Sequence, residues 1–387
     1  MRIRYLPLVM AALAVAPLMP RLAGAQKTSK ELIVYFGTYT DKSSKGIYLS
    51  RFDPATGKLG PVELAAETSN PSFLAADPAG RFLFAANEIG EYAGAKSGSV
   101  SSFAIDPQSG KLKPLNKVAS RGADPCYLTV DRTGKHVLVA NYSGGSVAVL
   151  PLSPDGMLGE ASDFVQHLGS SVNKERQAEP HPHEVVPMPG GRFAVVADLG
   201  LDKLLVYRYN GETGKLTPND PPAISITPGF GPRHLVLHPN GRFAYVINEM
   251  GNTFTAFAWE AKRGALQELQ TVPTLPPGFK GEDATSEIAI HPSGRFLYGS
   301  NRGHDSIVVY AINPANGKLT YVEHVPTLGK EPRSFALDPT GRYLFAANQN
   351  SDSVVVFQVN PKTGRLTPTG SKLDVPAPVC VTFIAVR

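Results

Sequence analysis

The chain has 387 residues, 42% of them hydrophobic and 18% charged, with a formal net charge of +5 at pH 7. This composition is typical of a soluble globular protein, and the small, dispersed excess of cations argues against a nucleic-acid partner. The 37 glycines and 34 prolines suit many tight turns, no segment keeps a 3.6-residue periodicity, and none is a membrane-spanning apolar run of roughly 20 residues, so we expect an all-β protein.

Residues 1–25 match the three regions of a secretory signal peptide. Arg2 and Arg4 are basic, residues 5–19 are apolar, and a small-residue cleavage site ends at Ala25. The next residue is glutamine rather than cysteine, which argues against a lipid anchor. Because three arginines lie in this segment, its removal lowers the formal net charge from +5 to +2. We therefore expect a periplasmic or secreted protein, without membrane attachment after cleavage.

After a polar linker at residues 26–30, two kinds of turn alternate between short runs of β-branched and aromatic residues, which we interpret as strands. One turn has the commonest form Asp-Pro-x-Gly-Arg, with its glycine at Gly80, Gly134, Gly191, Gly241, Gly294 and Gly341. The other commonly ends in Gly-Lys-Leu, with its glycine at Gly57, Gly110, Gly156, Gly214, Gly264, Gly317 and Gly364. Such a repeat of strands and turns predicts an array of similar β units.

The first turn occurs six times and the second seven times, because the first unit lacks its opening strand. The segment Cys380–Val386 is a strand without a unit of its own. We therefore predict one domain over residues 31–387: a seven-bladed β-propeller with four antiparallel strands per blade, its first blade closed by the C-terminal strand. Cys126 and Cys380 fall in different registers of non-adjacent repeats, so we expect free thiols.

The strand directions assign the connections to two faces. If the strands of a blade are named A to D outward from the axis, both repeated turns (A–B and C–D) lie on one face, and the B–C and D–A connections lie on the other. The long connections Asn87–Gly98, Ser162–His183 and Val272–Ser286 all belong to the second face. Long connections in compact repeats are usually functional, so we expect the site there.

Counting from the A–B turn glycines places several polar side chains near the axis on that second face. The residues eight before the glycine are Ser72, Cys126, His183, Arg233, Ser286 and Arg333, and those eight after it are Glu88, Tyr142, Leu199, Glu249, Arg302 and Gln349. Titratable residues that converge on a cleft indicate a functional site. Register alone thus selects His183, Arg233, Glu249, Arg302 and Arg333 from these two columns, and Glu287 from the column seven residues before the glycine. By contrast, His238 and His291 lie in A–B turns and are expected to be structural.

A metal ion was the first alternative for this cluster. Glu249, Glu287, Asn248 and Asn301 could offer oxygen ligands to a hard cation. Three guanidinium groups, those of Arg233, Arg302 and Arg333, would surround the same ion and repel it. Guanidiniums instead favour an anionic substrate. We therefore expect neither a metal nor another cofactor.

Short motifs at these positions resemble the seven-bladed propeller lactonase family, which includes bacterial 6-phosphogluconolactonases and fungal carboxymuconate-lactonising enzymes. These motifs are Gly37-Thr38-Tyr39-Thr40, Asn173 through Arg176-Gln177 to His181-Pro182-His183, Gly231-Pro232-Arg233-His234, Asn248-Glu249, Ser286-Glu287-Ile288, Asn301-Arg302-Gly303-His304-Asp305, Pro332-Arg333 and Asn348-Gln349. The resemblance covers nearly all of the mature chain. It implies catalytic roles for His183, Arg233, Glu249 and Arg302. The predicted signal peptide departs from the family pattern, since the usual phosphosugar lactone is cytoplasmic.

The function expected from this resemblance is hydrolysis of a sugar lactone in carbohydrate metabolism. Glu249 or His183 would activate water, and Arg233 or Arg302 would stabilise the oxyanion. The residues expected to bind the small anionic lactone or sugar acid are Arg176, Gln177, His181, Glu287, His304, Arg333 and Asn348. Two alternatives remain at this stage: a lactone-forming isomerase acting on a carboxylated diene, and a non-catalytic secreted propeller that binds a small anion or a protein. A monomer is expected in each case.

Overall fold

The computed structural model describes Met1 and residues 31–385, so the linker and, apart from Met1, the predicted signal peptide lie outside the described residues. In the described part, 29 strands form seven antiparallel sheets, and one 3-10 turn occupies Gln349–Ser351. No helix in this part of the chain has both the length and the apolar character needed to cross a membrane.

Each sheet is one blade. Blade 1 contains Leu32–Thr38 (β1), Gly46–Asp53 (β2), Lys58–Leu59 (β3), Glu63–Glu67 (β4) and, from the far end of the chain, Pro378–Ala385 (β29). Blade 2 contains Pro71–Ala76 (β5), Phe82–Asn87 (β6), Ser99–Ile105 (β7) and Leu112–Ala119 (β8). Blade 3 contains Pro125–Val130 (β9), His136–Asn141 (β10), Ser146–Pro151 (β11) and Asp163–Gln166 (β12).

The remaining four blades follow the same order along the chain. Blade 4 contains Pro182–Pro187 (β13), Phe193–Asp198 (β14), Lys203–Asn210 (β15) and Lys215–Ser225 (β16). Blade 5 contains Pro232–Leu237 (β17), Phe243–Asn248 (β18), Thr253–Glu260 (β19) and Ala265–Pro273 (β20). Blade 6 contains Thr285–Ile290 (β21), Phe296–Asn301 (β22), Ser306–Ile312 (β23) and Leu319–Pro326 (β24). Blade 7 contains Pro332–Leu337 (β25), Tyr343–Asn348 (β26), Ser353–Val359 (β27) and Leu366–Asp374 (β28).

The C-terminal strand closes the ring. β29 pairs antiparallel with β1, from Leu32 opposite Ala385 to Thr38 opposite Pro378, and it is the innermost strand of blade 1. The innermost strands of all seven blades contact their neighbours in an unbroken circle, since β29 touches both β25 and β5. The structure therefore confirms the predicted seven-bladed propeller and its mode of closure.

The hydrophobic core lies between the blades. Seven clusters of buried apolar side chains fill the seven gaps between adjacent sheets. The second strand of each blade is buried on both faces, which explains its continuous apolar sequence rather than an alternating one. Packing is close: a Cβ atom added to Gly299 in β22 would lie 2.3 Å from the ring of Phe254 in the preceding blade. Each blade is thus held by side chains of its two neighbours.

The A–B turns form the scaffold face, as predicted. Their six glycines have φ values between +63° and +72°, a left-handed conformation that strains other residues, which accounts for the strict repeat of glycine. Both turn histidines bind the next blade: Nε2 of His238 lies 2.8 Å from the carbonyl oxygen of Gly294, and Nε2 of His291 lies 2.9 Å from that of Gly341. These side chains join neighbouring turns, in agreement with the structural role expected for them.

Candidate active site

On the face opposite these turns, a cavity of about 270 Å³ opens at the axis of the ring. Its lining comes from blades 2 to 7 and includes residues of all three long connections: Glu88, Cys126, Tyr142, Arg176, His183, Glu249, Ala284, Arg302 and Arg333. Glu88, Tyr142, Glu249 and Arg302 directly follow the ends of β6, β10, β18 and β22. Cys126, His183 and Arg333 stand at the starts of innermost strands. The register argument therefore places these residues together correctly.

Glu249 is the centre of an ion-pair network. Its Oε1 atom lies 2.7 Å from Nη2 of Arg176, and its Oε2 atom lies 3.0 Å from both Nε of Arg233 and Nη2 of Arg302. Burial alone would raise the pKa of this carboxyl group, but the guanidiniums of Arg302, Arg233 and Arg176 outweigh it and lower the pKa of Glu249 to about 2. Glu249 is therefore an anion throughout the physiological range.

Arg233 lies behind Glu249 and does not line the cavity. Besides its contact with Glu249, its Nη1 donates to the carbonyl oxygen of Ser286 at 2.7 Å. Burial, together with the charges of Arg333 and Arg302, lowers the pKa of Arg233 to about 10, which leaves it protonated at neutral pH. Arg233 thus holds Glu249 in place, and Glu249 in turn orients Arg176 and Arg302, two of the three arginines that line the cavity.

Arg302 and Arg176 approach Glu249 from different directions. Arg302 is held on the wall by donating to the carbonyl oxygens of Ala284 and Thr285, at 3.1 and 3.2 Å. Arg176 stands at the mouth with 45% of its side chain exposed, and it also donates to the hydroxyl of Tyr142 at 3.2 Å. Arg302 is therefore held in a fixed position on the cavity wall, and Arg176 lies at the rim of the opening.

Arg333 is the cation of the cavity without a counter-ion. Among the described residues, no carboxylate oxygen lies within 4 Å of its guanidinium, whose central carbon sits 5.3 Å from the ring centroid of Tyr39. Burial opposes its charge, but Tyr39 and the carboxylates of Glu88 and Glu249 raise the pKa of Arg333 above its usual value. This guanidinium lines the cavity, and its donors have no hydrogen-bond partner within the part of the chain that the structure describes.

His183 supplies a neutral imidazole to the same cavity. It is 4% exposed, and its Nδ1 lies 3.7 Å from Sγ of Cys126. Burial lowers the pKa of His183 well below its usual value, and the charges of Arg233 and other neighbours act in the same direction. Nε2 has no hydrogen-bond partner among the described residues. A neutral ring with a free nitrogen can accept a proton.

A second layer of side chains closes the channel beneath the cavity. Nδ1 of His234 lies 2.9 Å from Oε1 of Glu287, and the rings of Phe73 and Tyr127 pack against this pair. Glu287 faces a separate depression of about 340 Å³ on the scaffold side rather than the cavity. Buried Glu184 in the same layer accepts a hydrogen bond from the backbone of Leu235, and burial raises its pKa well above the usual range.

The other expected substrate-binding residues do not line the cavity. Gln177 is buried and donates to the carbonyl oxygen of Leu199 at 2.8 Å, which fixes the turn that carries Arg176. His181 stacks on Tyr142 with ring centroids 4.4 Å apart. His304 contacts Ser306 and borders another pocket, and Asn348 donates to the carbonyl oxygen of Thr327 at 3.3 Å. Of the eleven residues selected from the sequence, the structure brings Arg176, His183, Glu249, Arg302 and Arg333 together at the cavity, with Arg233 directly behind.

The family model described as a seven-bladed β-propeller lactonase matches residues 33–383. This chain belongs to the seven-bladed β-propeller lactonase family. A 6-phosphogluconolactonase of Bacillus subtilis is 38% identical over 352 residues, which cover 91% of this chain and 98% of the relative. A 6-phosphogluconolactonase of Formosa agariphila is 32% identical, with 78% of this chain and 85% of the relative covered.

Solved structures agree with this family assignment. The periplasmic gluconolactonase of Pseudomonas aeruginosa is 39% identical, superimposes with a TM-score of 0.87, and is covered completely by 92% of this chain. The chain is therefore a 6-phosphogluconolactonase-like lactonase, which confirms the resemblance found in the sequence.

Four residues that line this lactonase's cavity were not predicted from the sequence, namely Glu88, Cys126, Tyr142 and Ala284, and neither was Tyr39, which lies behind Glu88. A signal for three of them was present, because Glu88 and Tyr142 share the register of Glu249, and Cys126 shares that of His183. Within residues 31–385, no group of three or more His, Cys, Asp or Glu side chains is arranged to hold a metal ion.

Cys126 and Cys380 of the lactonase are both buried and unpaired, as the sequence predicts. Burial raises the pKa of the Cys126 thiol far above its usual value, so this sulfur is a protonated neighbour of His183 rather than a nucleophile.

Proposed function

We propose that this lactonase hydrolyses the lactone of a sugar acid in the axial cavity. The observation that carries the proposal is the unpaired guanidinium of Arg333 beside the neutral imidazole of His183, both facing one cavity. A cation with free donors suits the oxygen on which negative charge develops, and a neutral imidazole suits the proton of attacking water.

The reaction follows from these roles. A water oxygen bonds to the lactone carbonyl carbon while His183 takes the water proton, and the carbonyl oxygen becomes an oxyanion next to Arg333 and Arg302. The bond between this carbon and the ring oxygen then breaks, and the ring oxygen takes the proton from His183. The products are a carboxylate and a free hydroxyl group, so that atoms and charge balance with release of one proton to solvent.

The remaining expected catalytic residues act through others. Both oxygens of Glu249 already contact guanidiniums, because Arg176 lies at one and Arg233 and Arg302 share the second. We assign it, with Arg233, to orienting guanidiniums rather than to activating water. Gln177 and His181 support the segment around Arg176 and Tyr142, whereas Glu287, His304 and Asn348 hold the second layer and the surrounding connections.

Arg176 is placed to bind an anionic group at the mouth, such as a phosphate or a carboxylate of the substrate. Replacement by alanine, Arg176→Ala, should lower kcat/KM for 6-phosphogluconolactone by about tenfold or more, since a charge-assisted hydrogen bond contributes about 1.5–3 kcal/mol. The unphosphorylated lactone should be affected less. Equal decreases in kcat/KM for the phosphorylated and the unphosphorylated lactone would show that Arg176 does not recognise the phosphate.

The direct test of the proposed function is acid release by purified mature protein from a panel of sugar lactones, followed at constant pH against the uncatalysed rate. We expect turnover that EDTA leaves unchanged and that Arg302→Lys reduces, because lysine lacks the planar fork. A carboxylated diene belongs in the panel. Its cyclisation without any lactone hydrolysis would favour the isomerase, and anion binding without turnover would favour the binding protein.

We also propose that the enzyme acts outside the cytoplasm. Support comes from the three-part N-terminal sequence and from the similarity to a protein described as a periplasmic gluconolactonase. Mass spectrometry of the protein from cell fractions should find a mature chain that starts at Gln26. A cytoplasmic protein that starts at Met1 would contradict this.

A monomer is the expected state of the mature enzyme. Every gap between blades is filled by side chains of the chain itself, so closure of the ring needs no second copy. Sedimentation equilibrium over a range of concentrations tests this expectation.

A further inference from the structure

We propose that Glu88 and Tyr39 form a hydroxyl-recognition subsite, which makes this enzyme selective for polyhydroxylated lactones over lactones without hydroxyl groups. This inference rests on the proposed lactonase function and deepens it, because it assigns an orientation to the substrate. Neither residue belongs to the set selected from the sequence.

Glu88 is the second carboxylate of the cavity, and its surroundings differ from those of Glu249. It follows β6 in blade 2, three blades from Glu249 in blade 5, so the two carboxylates lie on opposite walls of a seven-membered ring. No cation of the described residues lies within 4 Å of the Glu88 carboxylate. Glu88 therefore faces the cavity as an anion that no arginine neutralises by contact.

The hydrogen-bonding capacity of Glu88 is largely unused. The hydroxyl of Tyr39 donates to both carboxylate oxygens, at 3.0 Å to Oε1 and 2.9 Å to Oε2. An ionised carboxylate offers about four acceptor positions, so a single phenol leaves most of them free. Tyr39 remains a neutral donor because burial raises its pKa, an effect that the Glu88 charge reinforces.

The subsite is fixed in place by Asn70, which joins the two chain segments that form it. The backbone N–H of Glu88 donates to the Asn70 carbonyl at 2.9 Å, and Nδ2 of Asn70 donates to the Glu88 carbonyl at 3.2 Å. Oδ1 of Asn70 accepts from the backbone N–H of Thr40 at 2.8 Å. Asn70 has a φ of +39°, which asparagine tolerates better than most residues. Such a bracket holds Glu88 and Tyr39 at one geometry.

The chemistry of the two walls then orients the substrate. The guanidiniums of Arg302 and Arg333 attract the carbonyl oxygen and any anionic group, whereas Glu88, on the other side of Tyr39 from Arg333, accepts hydrogen bonds from hydroxyl groups. A polyhydroxylated lactone satisfies both walls at once. A lactone without hydroxyls would desolvate Glu88 without giving it a donor, which is costly.

The test compares two lactones of the same ring size, glucono-δ-lactone and δ-valerolactone, the second of which lacks hydroxyl groups. Glu88→Gln should lower kcat/KM for glucono-δ-lactone by about 10- to 100-fold, the range for a lost hydrogen bond to a charged group. The value for δ-valerolactone should not fall, because a neutral amide costs less to desolvate than a carboxylate. Because both substrates are measured on one sample, partial unfolding cannot change their ratio.

Two further variants sharpen the result. Tyr39→Phe removes the donor that aligns Glu88 and should shift the selectivity ratio in the same direction by a smaller factor. Glu91→Gln is the matched control, since Glu91 is an exposed carboxylate in the same connection of blade 2, and it should leave both substrates unchanged. Equal losses for the two lactones in Glu88→Gln, or no loss for either, would overturn the subsite while leaving the lactonase function intact.

If the wild-type enzyme hydrolyses no lactone, calorimetry with D-gluconate and with valerate separates the two proposals. Gluconate binding that Glu88→Gln weakens about tenfold or more, with valerate unaffected, would support the subsite although the proposed function had failed. No binding of gluconate to the wild type would overturn both.

Discussion

The three guanidinium groups around Glu249 define what this residue does in the fold. An unpaired buried charge is unfavourable, so the network depends on each partner, and loss of one member of such a pair typically costs about 3–5 kcal/mol. The register of Glu249 is readable in the sequence, but its contacts are not. From the sequence it is a candidate base, and from the geometry it is a counter-ion.

We therefore expect Glu249→Gln to lower the free energy of unfolding by about 3 kcal/mol as well as to reduce kcat/KM, because Arg176, Arg233 and Arg302 lose their common anion. Urea unfolding followed by fluorescence measures the first effect. Glu212→Gln, which breaks an exposed pair with Lys135, is the control and should change stability by less than about 1 kcal/mol. Unchanged stability in Glu249→Gln would mean that the three arginines do not need this carboxylate.

The protonation of His183 predicts the pH dependence of the reaction. Its pKa is lowered well below 6.5, so the neutral form, which can accept a proton, persists as the pH falls through 6.5. We expect kcat/KM to stay flat from about pH 8 to about pH 6 and to decline only under more acidic conditions. An inflection near 6.5 in the wild type would show an unperturbed histidine instead, and His183→Gln should abolish the acidic limb.

Acid should also destabilise the protein, for two reasons with the same sign. The folded-state pKa of Glu249, about 2, lies below its ordinary value of 4.5, so its contribution is present above 4.5 and is lost as the pH falls from 4.5 toward 2. Protonation of His183 is disfavoured in the folded state, so stability also falls as the pH drops below 6.5.

At the scale of single residues, the sequence predicted where side chains lie in the fold better than it predicted which other side chains they contact. Counting from the turn glycines correctly placed His183, Glu249 and Arg302 at the cavity that Arg176 also lines, because strand length is constant between blades. It could not show that three arginines contact Glu249 or that, among the described residues, only the phenol of Tyr39 donates to the Glu88 carboxylate. Those properties depend on long side chains from separate blades, and no local pattern encodes how such side chains meet.

At the scale of strands and turns, the two faces separate stability from chemistry. The A–B turns are similar because each must place a left-handed glycine and bind the following blade, whereas the connections on the cavity face differ in length and content. Repeat period and turn chemistry made the strands and this division predictable. The path of the long connections was not predictable. For this reason the sequence wrongly assigned His304 and Asn348 to the cavity, whereas the structure places both outside it.

A change on the scaffold face should therefore leave turnover alone. In His291→Asn the shorter side chain loses the contact between Nε2 and the carbonyl oxygen of Gly341 in the next blade. We expect a decrease in stability of about 1–2 kcal/mol, the cost of leaving a buried polar group without a partner, and unchanged kcat and KM. Thermal unfolding and the lactone assay on the same preparation provide the measurement. Loss of turnover at full stability would place chemistry on the scaffold face.

At the scale of the whole molecule, closure of the ring depends on β29. Without it, β1 would present an unpaired edge, and Cys380 and Ile384 would leave the apolar cluster between blades 1 and 2. We expect a chain ending before Pro378 to aggregate rather than to form a stable ring whose first blade lacks its innermost strand. Light scattering and near-ultraviolet circular dichroism provide the measurement.

A circular permutant is the control for this truncation. It joins residue 387 to residue 31 through a short linker and opens the chain between Gly190 and Gly191, in an exposed turn of the scaffold face. This variant keeps every strand and should fold and hydrolyse lactone like the wild type. A soluble, active truncated chain would show that closure by β29 is dispensable.

The pairing of β1 with β29 has a consequence for biogenesis. β1 is synthesised first but cannot pair until β29, the last strand, has been synthesised. Their pairing closes a loop of roughly 340 residues at an entropic cost of about 5 kcal/mol beyond a constant term. The middle blades can assemble as they are synthesised. The ring, and with it the axial cavity lined by blades 2 to 7, is completed only when the final eight-residue strand is available. If the chain crosses a membrane N-terminus first during the proposed export, its ring stays open until β29 has also crossed, and catalysis then begins only at the destination.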